Sequence, residues 1–184
     1  MIKGQCDPRF KKIKDIFSYS LENGFETGAA LAIEYKGEVV VNLWGGHRDS
    51  NKSLEWEENT LINVFSVTKG ITAICVSKLI DEGKLDHNQK VSYYWPEYGC
   101  NGKEDTIVSD FLCHRAGMFG FQNGMPKGSW QNWQNFVSHL EAQTPYNAPG
   151  FSQGYHALTY GWLVGELFRR CLLYTSPSPR DYTR

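Results

Sequence analysis

Two serines in this chain stand in patterns that could make a nucleophile. Residues 150–154, Gly150-Phe151-Ser152-Gln153-Gly154, read G-x-S-x-G, the sharp turn that presents the serine of α/β-hydrolases. Earlier in the chain, Ser66 precedes Lys69 by three residues in Phe65-Ser66-Val67-Thr68-Lys69-Gly70. A serine hydroxyl attacks a carbonyl poorly until a neighbouring base or cation activates it. Each candidate is therefore judged by what stands beside it.

Ser152 lacks the setting. A nucleophile elbow needs a buried strand leading in and a helix leading out. The preceding Gln143-Thr144-Pro145-Tyr146-Asn147-Ala148-Pro149 holds two prolines in seven positions and cannot form a central strand. His156 follows four residues later, with no acid between. A pattern this short arises by chance, and Ser152 is read as incidental.

Ser66 has the better physical case. Residues three apart share a helix face, which puts the Lys69 amine one turn above the Ser66 hydroxyl. The partial positive charge of a helix N-terminus disfavours a protonated lysine and favours an oxyanion. A neutral Lys69 could then take the serine proton. The same S-x-x-K spacing also occurs on solvated helix faces, and four residues alone do not separate the two readings.

The elements that must position these residues follow from periodicity. Asp7-Pro8 is a helix start, and Phe10, Ile13, Phe17 and Leu21 recur at helical spacing until Asn23-Gly24. GAALAIEY and EVVVNLW read as an antiparallel hairpin turning at Lys36-Gly37, with Leu31, Ile33 and Tyr35 on one face. A helix is predicted from Ser66 to Glu82, with Ile71, Ile74, Cys75 and Leu79 as its apolar stripe. Further helices are predicted at Ile107 to Cys113, at Ser129 to Ala142 with Trp130, Trp133 and Val137 inward, and from Tyr155 to Arg170. In the last, Gly161 and Gly165 permit close helix packing. A helix, a hairpin and then a run of helices make an α+β chain in one domain.

Composition sets outer bounds. A chain of 184 residues, 41% hydrophobic and 21% charged, can bury a core. A net charge of −1 gives no electrostatic case for nucleic acid or an anionic membrane. No run of apolar residues has the length of a membrane span, and the N-terminus has no continuous apolar core, so a cytoplasmic protein is expected. The five cysteines, Cys6, Cys75, Cys100, Cys113 and Cys171, show no metal-ligand spacing and read as free thiols. No metal or organic cofactor is expected.

Longer stretches add a resemblance. NTLINVFSVTKG, FLCHRAGM and PGFSQGYHALTYGWLVGEL stand in the order of the motifs of the serine β-lactamase and penicillin-binding-protein superfamily. DPRF, GAALAIEY, VVVNLWGG and GYHALTYGWLVGEL are similar to its β-lactamase-related serine hydrolases, which include family VIII carboxylesterases. The resemblance covers about Asp7 to Arg170. It implies a β-lactamase/transpeptidase-like fold and hydrolysis of a small-molecule ester or amide through an acyl-enzyme on Ser66. It also implies a tyrosine of the Y-x-N or Y-x-S type, which falls on Tyr155. Ala157 occupies the third position of that motif, where many relatives carry a polar side chain. That departure suits an esterase-like member better than an efficient β-lactamase. The alternative is a non-catalytic member of the same fold, a scaffold or binding module.

A third family element, K-T-G, H-x-G or a W-G-G variant on a later strand, is expected to be missing. Trp44-Gly45-Gly46 matches the family's early motif and is read as a turn. The last stretch, CLLYTSPSPRDYTR, resembles the read-through translation of a transposase-based sequencing adapter. The expectation is a partial β-lactamase-related domain over residues 1–170, truncated and inactive by itself, and a non-native tail over residues 171–184. Substrate identity and oligomeric state stay open at this level.

Overall fold

The computed structural model describes residues 2–125 and 128–173. The chain forms two compact units, residues 1–63 and 64–184.

The first unit is built on a three-stranded antiparallel sheet. Strand β1 (Ile2–Cys6) is followed by a single 3-10 turn at Pro8–Phe10, helix α1 (Lys11–Glu22), β2 (Gly28–Tyr35) and β3 (Glu38–Gly46). The order is β1-β3-β2, with β3 paired on both sides. The β2–β3 hairpin closes at Lys36-Gly37, where both residues hold positive φ, 55° and 83°. That backbone matches the strand twist in a two-residue turn and is easiest for glycine. Leu31 and Ile33 join Val40, Val41 and Leu43 in the core, with Ile2, Cys6, Phe10 and Phe17 packed against them. Tyr35 stays exposed, because a register shift between Ile33 and Glu34 breaks the alternation before it.

Two sequence expectations change here. Ile2–Cys6 is a strand that periodicity did not reveal, its pattern being interrupted by Lys3, Gly4 and Gln5. Trp44-Gly45-Gly46 is no turn: Trp44 pairs with Ala30 and Lys3, and Gly46 pairs with Gly28.

The second unit is helical: α2 (Val67–Asp81), α3 (Val91–Tyr94), α4 (Val108–Leu112), α5 (Trp133–Ala142) and α6 (Thr159–Leu173). Its core joins Val76 and Leu79 of α2 to Phe111 of α4, Phe136, Val137 and Leu140 of α5, and Leu163, Val164, Leu167 and Cys171 of α6. Each fully buried aliphatic side chain contributes about 1.5–3 kcal/mol.

The predicted stripes shift within these helices. Ile71 and Ile74 are 58% and 66% exposed and Cys75 is exposed as well, whereas Leu79 faces the core as expected and Val76 joins it there. Helix α2 carries apolar residues on most sides, so the 3.6-residue period had no polar face to contrast with. In α5 the buried residues are Phe136, Val137 and Leu140. The α-helix proper starts only at Trp133, where the Asn132 side chain accepts from the Asn135 amide at 2.9 Å. Trp130 and Trp133 remain partly exposed. Of the two α6 glycines, only Gly165 is closely approached, a β-carbon there falling 2.9 Å from the Trp133 ring.

Helix α6 begins at Thr159, so Tyr155 stands on the loop before it. The helix runs three residues past Arg170, and Cys171 is buried in the core. Residues 174–184, most of the stretch that resembles an adapter, lie outside the described residues.

Candidate active site

The approach to α2 is bent. Phe65 holds φ +43°, a left-handed backbone that costs a phenylalanine of the order of 1–3 kcal/mol. Ser66 follows as the N-terminal cap residue, yet its side chain makes no capping hydrogen bond. The exposed hydroxyl is thus not spent on the helix. Lys69, in the first turn, donates from Nζ to Ser66 Oγ at 3.2 Å and to the Ala157 carbonyl at 2.9 Å.

Tyr155 arrives from the far end of the unit's sequence. Lys69 Nζ stands 5.0 Å from the centre of its ring and 5.7 Å from that of Tyr160. Hydrogen bonding to Ser66, and next to Lys69, holds the Tyr155 phenol below its ordinary pKa, with the lysine charge acting in the same direction. Tyr155 is 54% exposed, which leaves the residue open to a substrate. The three residues singled out in the sequence, Ser66, Lys69 and Tyr155, therefore meet.

Ser152 does not join them. It lies in irregular chain, with no strand before it and no helix directly after it. The sheet among the described residues is antiparallel, which removes the α/β-hydrolase elbow. The two glycines of its G-x-S-x-G have local reasons. Gly150 takes φ +77° and donates its amide to the Arg115 carbonyl. A β-carbon at Gly154 would fall 2.5 Å from the Phe119 ring.

Sequence reasoning missed the support beneath Tyr155. His114 sits with its ring 4.8 Å from the Tyr155 ring and 5.1 Å from that of Tyr160. Burial, and then the charge of Lys69, lowers its pKa. His156 is fully buried; its Nδ1 donates to the Gly154 carbonyl at 2.6 Å and its Nε2 accepts from the Met118 amide at 3.1 Å. Burial pushes its pKa down to about 4, against the opposing Gly154 hydrogen bond. Ala157 contributes through its carbonyl, a group that no side-chain motif displays.

Residues 13–176 match the Beta-lactamase family model. The chain belongs to the beta-lactamase family. This beta-lactamase family chain is 36% identical over 171 residues to esterase/beta-lactamase LipL of Mycobacterium tuberculosis, covering 90% of this chain and 38% of LipL. A family VIII carboxylesterase of known structure is 40% identical, with a TM-score of 0.84 over 96% of this chain and 48% of that one. A penicillin-binding protein homolog from Caulobacter crescentus is 37% identical, with a TM-score of 0.87 over 93% of this chain and 46% of that one. The chain spans less than half the length of these relatives. Its helices and small antiparallel sheet are those of the β-lactamase/transpeptidase-like fold, in line with the α+β reading. The family is one of hydrolases, esterases and beta-lactamases among them. Among the described residues, no helix is long and apolar enough to cross a membrane.

Proposed function

We propose that Ser66 is the nucleophile of a serine hydrolase that cleaves small-molecule esters or amides through an acyl-enzyme. The observation that carries this reading is the Lys69 Nζ contact with Ser66 Oγ at 3.2 Å, beside a phenol whose pKa is lowered by hydrogen bonds to both residues. In the first step Ser66 Oγ attacks the carbonyl carbon and its proton passes to the ionised Tyr155 oxygen. The Lys69 ammonium stabilises that phenolate, and the start of α2 favours the tetrahedral oxyanion. Collapse breaks the bond to the leaving alcohol or amine, which takes the proton from Tyr155. Water then attacks the acyl-serine carbonyl, giving its proton to Tyr155, and Ser66 Oγ leaves and is reprotonated. Atoms and charges balance without a cofactor.

Esterase names among the relatives favour an ester as substrate, and Ala157 at the third motif position supports the same preference. The test is hydrolysis of p-nitrophenyl butyrate by the full-length protein. Ser66→Ala is expected to abolish turnover, and Ser152→Ala to leave it nearly unchanged. The reverse pattern would make Ser152 the nucleophile.

A further inference from the structure

The segment bearing Tyr155 is held on both sides by one residue. The Gly154 amide donates to the His114 carbonyl at 2.9 Å, and the His156 amide donates to His114 Nδ1 at 3.1 Å. Tyr155 lies between those two donors, with its ring against the His114 ring. His114 therefore engages the residue before the phenol, the residue after it, and the phenol ring itself.

The clamp is built at some cost. His114 holds φ +60°, which disfavours most side chains and is tolerated best by glycine and asparagine. Because Nδ1 accepts a hydrogen bond, the neutral ring carries its proton on Nε2. His156 locks the far side, joining the Gly154 carbonyl to the Met118 amide. Phe119 fills the space that a side chain at position 154 would need, so the bend cannot relax in that direction. His114 is half-buried and His156 fully buried, and each holds main-chain groups on one side of the bend.

We infer that His114 is the positioning residue for the Tyr155 phenol, setting its distance from Ser66 and Lys69 through the paired bonds to the Gly154 and His156 amides. This inference rests on the reading of Tyr155 as the proton carrier. His114 touches no reacting atom; it acts through the segment that it holds.

Variants of the full-length protein separate the possibilities. His114→Gly removes the ring while fitting the positive φ, so backbone strain does not account for its effect. His114→Asn keeps a compatible backbone and offers Oδ1 as acceptor to the His156 amide. With p-nitrophenyl butyrate, His114→Gly is expected to lower kcat by about 100-fold, the loss typical of a misplaced catalytic group, with KM little changed. His114→Asn is expected to recover most of that loss. Circular dichroism and thermal unfolding establish that both variants are folded. If Ser66→Ala retains turnover, the underlying hydrolase reading fails. If Ser66 is essential but His114→Gly keeps wild-type kcat, or Asn rescues nothing while folded, the positioning role is overturned.

Discussion

Lys69 Nζ lies 3.2 Å from Ser66 Oγ, one turn along the same helix, and is held there by a 2.9 Å bond to the Ala157 carbonyl. The amine thereby joins the start of α2 to the chain just before α6. Lys69→Met removes the charge, the serine contact and that link together. In the full-length protein, kcat for ester hydrolysis is expected to fall by about 10³-fold, the scale of losing one electrostatic stabiliser from a site. Thermal unfolding should shift only slightly, since Lys69 is partly solvated.

The lowered Tyr155 pKa sets the sign of the pH profile. The phenol works as a base when ionised, so kcat should rise with pH with a midpoint below pH 10, the ordinary phenol value. Tyr155→Phe should abolish that rise and lower kcat by about 10²–10⁴-fold. A midpoint at or above 10 in the wild-type protein would show that the hydrogen bonds from Ser66 and Lys69 do not tune the group.

Within Gly150-Phe151-Ser152-Gln153-Gly154, the glycine matters more than the serine. Gly154→Ala would drive a methyl group into the Phe119 ring, displacing the segment that carries Tyr155. Turnover and melting temperature should both fall. Ser152→Ala should alter neither, and the pair can be assayed side by side.

Acid should loosen the helical unit through two buried groups. Glu166 is fully buried. Burial pushes its carboxyl up, but hydrogen bonds from Arg169, Trp133 and Arg170 outweigh this and hold the pKa below its ordinary value. Its contribution is present above the ordinary carboxylate range and is lost as pH falls through the lowered value. His156, neutral when folded and lowered to about 4, acts in the same sense: stability drains as pH drops from about 6.5 towards 4. Urea unfolding across pH 7 to 4 should show a steady decline. At neutral pH, Glu166→Ala should cost about 3 kcal/mol, because it leaves the facing arginines without their carboxylate.

Some of this was legible in the sequence for identifiable reasons. Lys36-Gly37 between two β-rich runs announced the hairpin, because its turn chemistry is local. Ser66 and Lys69 could be paired from spacing alone, since a helix converts three residues into one turn. Tyr155 could not be reached that way: no spacing rule joins it to Ser66, and only the family resemblance pointed to it. His114 stayed hidden because its part is played by a carbonyl, a ring nitrogen and a positive φ, none of which a residue pattern records. The apolar stripe of α2 was misplaced at Ile71 and Ile74, since a helix apolar on most sides offers no contrast to read.

The most direct test is to locate the acyl group. Full-length protein would be mixed with a p-nitrophenyl ester, quenched in acid during turnover, digested, and its peptides weighed by mass spectrometry. The proposed chemistry predicts acyl mass on the peptide containing Ser66 and none in Ser66→Ala. Acyl mass on the peptide containing Ser152, or undiminished hydrolysis by Ser66→Ala, would contradict it.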